Sequence, residues 1–182
     1  MPIYLIAGLV LLAFGVFEFM ANRLYNLSDV EPENQGGNFK TDFDHDFIDV
    51  ANARKIPFAL LKAHAIQESS LKPEAYRFEP GTSKRPDSAS YGLMQLLWWE
   101  GSNRWAKYGV SDDMISDGSF LYTPHLNIDL AAQLIADNLK ACGGNLRDAV
   151  SMYNSGHKET DASSAYVDKV MGYYNKILGK DV

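Results

Sequence analysis

Residues 57–69 read PFALLKAHAIQES, and this stretch decides what kind of fold the chain builds. Proline suits the opening turn of a helix, because its φ is already helical and its missing N–H has no partner to lose there. Beyond it, Leu61, His64, Ala65 and Glu68 share one face, Glu68 following the others by seven, four and three positions. That is the spacing of a stripe directed at a core. A glutamate on a helix ordinarily lies in solvent, so a carboxylate closing an otherwise core-directed stripe makes Glu68 the first candidate functional residue.

Working outward, the same helical period recurs. Phe43, Phe47 and Val50 mark a preceding helix, with Thr41 and Asp44 at capping-box-like spacing before it. Later helices are predicted over Asn127–Ala141, stopped by Gly143-Gly144, over Leu146–Tyr153, and over Ala165–Leu178, stopped by Gly179. Between them, RFEPGTSKRPDSAS (77–90) carries glycine and two prolines and reads as a mobile loop. The apolar run YGLMQLLWW (91–99) suits a short buried helix or a strand, and helix is the preferred reading. With no clear hairpin pattern and no internal repeat, the domain is expected to be mostly α.

The N-terminal flank has a different character. From Ile3 to Ala21 only Glu18 interrupts an apolar segment long enough to cross a bilayer. It has no basic start and no small-x-small cleavage site, so a retained anchor is preferred to a removable signal peptide. Residues 26–40, NLSDVEPENQGGNFK, have the composition of a flexible tether. The expected organisation is a transmembrane anchor over 1–22, a linker over 23–40 and a folded domain over 41–182. The flanking charges do not fix the orientation.

Composition limits the function classes. At 46% hydrophobic and 12% aromatic residues, the chain supplies a packed core. A net charge of −6 without basic clusters argues against nucleic-acid binding. Cys142 is the only cysteine, which excludes an internal disulfide and a cysteine-built metal site; it reads as a small core residue near a helix end. His45, His125 and His157 lack metal-ligand spacing, so neither a metal nor another cofactor is expected.

Three short segments follow apolar helical stretches in order: Glu68-Ser69, Gly92-Leu93-Met94-Gln95 and Tyr153-Asn154-Ser155-Gly156. Together they resemble the E-S, G-L-M-Q and A-Y-N-x-G signatures of the lytic transglycosylase and goose-type lysozyme superfamily. LLKAHAIQESSLKPEAY, TPHLNIDLAAQLIADNL and AYVDKVMGYY extend the resemblance from about Phe43 to Tyr174. Met152 departs from the usual alanine before Tyr-Asn, Ala131 stands where glycine is frequent, and the loop before Gly92 is long.

The resemblance implies a lysozyme-like helical domain acting on peptidoglycan glycan strands. Glu68 would be the general acid and then base, cutting the β-1,4 bond between N-acetylmuramic acid and N-acetylglucosamine to leave a 1,6-anhydro end. Ser69, Gly92, Met94, Gln95, Tyr153 and Asn154 are the candidate substrate-binding residues. Glycine permits close backbone approach, and the amide and hydroxyl groups suit hydrogen bonds to an acetamido sugar. The motifs offer no obvious second carboxylate; Glu79 and Asp87 in the long connection read as loop charges. His64, one turn before Glu68, reads as a core histidine in preference to one that tunes the glutamate's pKa, and Trp98, Trp99 and Trp105 read as core residues unless one faces a loop.

The expected setting is a membrane-anchored domain facing the periplasm or cell wall, with envelope or virion assembly partners. A hydrolytic muramidase and a non-catalytic glycan-binding structural protein are the competing readings.

Overall fold

The computed structural model describes residues 39–79, 87–110 and 117–180. The expected anchor over 1–22 and all but the end of the linker over 23–40 lie outside the described residues, as do positions 80–86 of the long connection. Among the described residues, no helix is long and apolar enough to cross a membrane.

Among the described residues, five α-helices carry the domain: α1 (Asp44–Arg54), α2 (Phe58–Ser69), α3 (Pro124–Ala141), α4 (Leu146–Ser155) and α5 (Asp161–Ile177). Between α2 and α3 lies an antiparallel sheet of β1 (Tyr76–Phe78), β2 (Ala89–Tyr91) and β3 (Leu96–Trp98), in that order. Register pairs Arg77 with Ser90 and Ser90 with Leu97. Short 3-10 turns over Ala106–Tyr108 and Gly118–Tyr122 complete the path to α3.

Helix α2 is the axis of the core. Phe58 through Ile66 are buried without a break, so the apolar stripe has become an element covered on every side. Pro57 caps α2 rather than opening it, and α2 stops where Ser70 and Leu71 take left-handed φ values of 55° and 63°. Lys62 is fully buried; its stem runs through the core and its Nζ reaches Asp44 Oδ1 at 2.6 Å, tying α2 to α1. Lys62→Ala removes that stem as well as the charge, and is expected to cost about 2 kcal/mol in urea unfolding at unchanged m-value.

The helix starts differ from the sequence reading for identifiable reasons. Helix α1 starts at Asp44 without a side-chain cap; the only trace of the expected box is a long 3.4 Å contact from Thr41 N–H to Asp44 Oδ2. Helix α3 begins three residues earlier than expected, because Thr123-Pro124 supplies the proline-first start. Helix α5 begins at Asp161 because Thr160 and Ser163 form a reciprocal capping box. Serine in the position usually held by glutamate or glutamine hid that signal.

The larger correction concerns 91–99, which is strand, turn and strand, not helix. Gly92 and Gln95 adopt φ values of 75° and 48°, and two left-handed residues so close together cannot continue a helix. The reversal is held by Asn127, fully buried on α3. Its Nδ2 donates to Tyr91 and Leu121 carbonyls at 3.0 and 2.8 Å, and its Oδ1 accepts the Met94 N–H at 2.8 Å. A hairpin fixed by a side chain from a distant helix leaves no local turn signature.

Candidate active site

The C-terminal end of α2 delivers Glu68 into a cleft of about 370 Å³ between the sheet and the helices. Facing it are Arg77, Glu79 and Ser90 from the sheet side, Gln95 from the β2–β3 turn, Arg104 and Trp105 beyond β3, and Tyr153 and Asn154 from α4.

Glu68 is half-buried, and desolvation pushes its carboxyl above the ordinary glutamate range. Glu79 adds to the rise by like-charge repulsion, whereas a hydrogen bond from Tyr166 and the charge of Arg77 oppose it. The Tyr166 hydroxyl donates to Glu68 Oε1 at 2.5 Å from α5. Burial, followed by the neighbouring Glu68 charge, raises Tyr166 far above the usual phenol value, so it remains a donor throughout the physiological range. A carboxyl whose pKa is raised and that opens on a cleft has the chemistry of a general acid.

Of the sequence-predicted residues, Glu68, Gln95, Tyr153 and Asn154 meet at the cleft. Gln95 spends both amide hydrogens on the Ala75 and Gly92 carbonyls, at 3.2 and 3.1 Å, which leaves its oxygen as the free polar atom. Tyr153 gives its hydroxyl proton to the Met94 carbonyl at 2.7 Å.

Ser69, Gly92 and Met94 do not line the cleft. The Ser69 hydroxyl ties α2 to the β2–β3 turn through the Leu93 carbonyl at 2.8 Å. Met94 is wholly buried, and its polar contacts are made by the main chain. Gly92 is required by packing: a Cβ there would stand 2.5 Å from the Leu121 carbonyl oxygen. The second signature thus contributes one side chain to the cleft and builds its wall with the others.

Several residues in the cleft or in contact with Glu68 were not singled out in the sequence, or were read as something else. Tyr166 lies within AYVDKVMGYY, a segment with no assigned role. Arg77, on β1, and Glu79, just after it, come from the stretch read as loop and line the cleft; Arg77 Nε and Ser90 Oγ donate to Glu79 Oε1 at 2.7 and 2.9 Å. Asp87 instead accepts the Glu100 N–H at 2.6 Å and does not line the cleft. Trp98 and Trp105 are buried, and Trp105 floors the cleft with its indole N–H on the Leu97 carbonyl and the Arg104 guanidinium over its ring.

This order of elements around a buried-helix glutamate can be set against known proteins. The family model described as the transglycosylase SLT domain matches residues 46–174. The chain belongs to that family. The SLT match spans the helix that carries Glu68, the sheet and the helices that close the cleft. Among solved structures, an inactive mutant of lytic transglycosylase Slt from Pseudomonas aeruginosa is similar, with a TM-score of 0.60 and 22% identity. The similarity covers 79% of this chain and 25% of that one. The SLT domain here therefore shares a fold with about a quarter of a much longer protein. No curated protein matches the chain.

Proposed function

We propose that this SLT domain is a peptidoglycan lytic transglycosylase that cuts the bond between N-acetylmuramic acid and N-acetylglucosamine, with Glu68 as acid and then base. The observation that carries the reading is the Glu68 carboxyl, raised by desolvation and facing a polar cleft. In the first step its proton passes to the glycosidic oxygen as that oxygen leaves the muramic acid anomeric carbon. The resulting carboxylate then takes the proton of the muramic acid C6 hydroxyl, whose oxygen bonds to the anomeric carbon. Acid and base are restored and no water is consumed. Gln95 Oε1 and the exposed Asn154 amide are the groups we assign to the acetamido and hydroxyl groups of the strand.

Mass spectrometry of digested peptidoglycan tests this directly. Fragments one water lighter than reducing-end products support the lytic reaction, and reducing ends alone overturn it. The hydrolytic alternative has one observation in its favour, since Glu79 shares the cleft and leaves Oε2 uncommitted among the described residues. Such a carboxylate can activate water. In the lytic reading Glu79 acts only as a charge that holds the Glu68 proton. Glu79→Gln is then expected to move the alkaline limb of kcat/KM to lower pH without changing the anhydro product.

For the setting, we propose that the apolar segment 3–21 anchors the domain to a membrane and that residues 26–40 tether it near the wall, with envelope or virion assembly partners. The full chain is expected to stay with membranes after alkaline carbonate extraction. Its release there would remove the anchor from the reading.

A further inference from the structure

We infer that His64 is a positioning residue for Glu68, acting through the Tyr166 hydroxyl so that Oε1 is held and Oε2 alone gives and takes the proton. The inference rests on the reading of Glu68 as acid and base.

His64 lies one turn before Glu68 on α2 and is fully buried. Its Nδ1 is 3.2 Å from the Tyr166 hydroxyl, which in turn donates to Glu68 Oε1 at 2.5 Å. Its ring packs against Tyr153 with centroids 4.6 Å apart. The Tyr153 hydroxyl proton is committed to the Met94 carbonyl, so Tyr153 does not donate to either histidine nitrogen. His64 Nε2 has no partner among the described residues.

The tautomer follows from what is cheaper to leave unpaired. A buried N–H without an acceptor is rarer and costlier than a buried lone pair without a donor. The ring proton therefore sits on Nδ1, and Nε2 keeps its lone pair. Nδ1–H then donates to the tyrosine oxygen, and the single Tyr166 proton must point at Oε1. The string runs one way, and each bond polarises the next. Oε1 accepts whether or not the carboxyl is protonated. The transferable proton, and later the receiving lone pair, belong to Oε2.

Burial lowers His64 to about 3, so it stays neutral where peptidoglycan is cut and acts as a fixed dipole. The charges facing this string are few. Tyr166 meets His64 and Glu68 from α2, Tyr153 from α4 and the charge of Arg77 from β1. Glu68 meets Tyr166, Arg77 and Glu79.

Two measurements on the full chain test the linkage without substrate. Nitrogen-15 spectra of the His64 ring are expected to show the Nδ1–H tautomer. A carbon-13 titration of the Glu68 carboxyl is expected to rise by roughly half to one unit in His64→Leu, because a less polarised Tyr166 stabilises the carboxylate less. The same substitution made in Tyr166→Phe should move it by less than about a third as much, since the path is already cut. His64→Asn, whose amide N–H takes the place of Nδ1–H, should restore the wild-type midpoint. In turnover, His64→Leu should lower kcat more than it changes KM and carry the alkaline limb upward with the carboxyl.

An Nε2–H tautomer, or equal titration shifts in both backgrounds, overturns the inference. If His64→Leu fails to fold, the wild-type tautomer decides alone. A protein that cuts no peptidoglycan would sink the functional reading while leaving the two spectroscopic results to judge the linkage.

Discussion

Replacing Glu68 by glutamine is expected to lower cleavage of peptidoglycan strands by about a thousandfold or more, the loss that follows removal of a positioned general acid. Glutamine preserves size and can still accept the Tyr166 hydrogen bond, so the cleft should keep its shape. It cannot protonate the leaving oxygen or take the C6 proton. Stability should move the other way. A carboxyl whose pKa is raised by folding favours the native state below its unfolded pKa and loses that contribution as pH rises through its folded pKa. At pH 7, above the unfolded value, the desolvated Glu68 site therefore costs the wild-type protein stability relative to acid conditions, and Glu68→Gln relieves that cost. The expected result is a Tm equal to or above wild type at pH 7, with the difference shrinking on acidification. A thousandfold loss together with a lowered Tm at neutral pH would mark Glu68 as a structural residue instead.

Glu68 was legible because it contradicted its surroundings. A glutamate on a stripe with Leu61 and Ala65 demands a reason, and periodicity alone exposes the conflict. Tyr166 gave no such signal, since a half-buried tyrosine on an amphipathic helix is ordinary and only the packing of α5 against α2 brings its hydroxyl to Oε1. The α-helices were read for the same reason as Glu68; their larger boundary errors lie at the starts of α3 and α5, where Thr123-Pro124 and the Thr160–Ser163 box set the boundary, while α4 runs two residues past its expected end, to Ser155.

The sheet was illegible because nothing local builds it. Its strands are three residues each, β2 is Ala-Ser-Tyr with no β-branched residue, and the β2–β3 reversal is written in Asn127, on another helix. Arg77 and Glu79 were lost with it. A charge in a polar stretch looks like any solvated charge, and only the tertiary placement of β1 beside the cleft gives Arg77 and Glu79 their neighbours.

Gly92 provides the second large effect, because two explanations of one glycine predict different failures. If it serves to let a glycan approach the backbone, Gly92→Ala weakens binding and leaves the fold intact. The geometry argues otherwise. Its φ of 75° is strained for alanine, and the new Cβ would stand 2.5 Å from the Leu121 carbonyl oxygen and 2.7 Å from Asn127 Nδ2. Neither neighbour can yield cheaply. The carbonyl is backbone, and Asn127 is fully buried and holds three main-chain groups that its movement would leave unpaired. Left-handed strain and the clash together should cost about 3 kcal/mol or more, read as a fall in urea midpoint. Because the turn also presents Gln95 to the cleft and Met94 O to Tyr153, activity should fall in step with the loss of folded protein. A Gly92→Ala protein with an unchanged midpoint and a raised KM would return this glycine to the substrate.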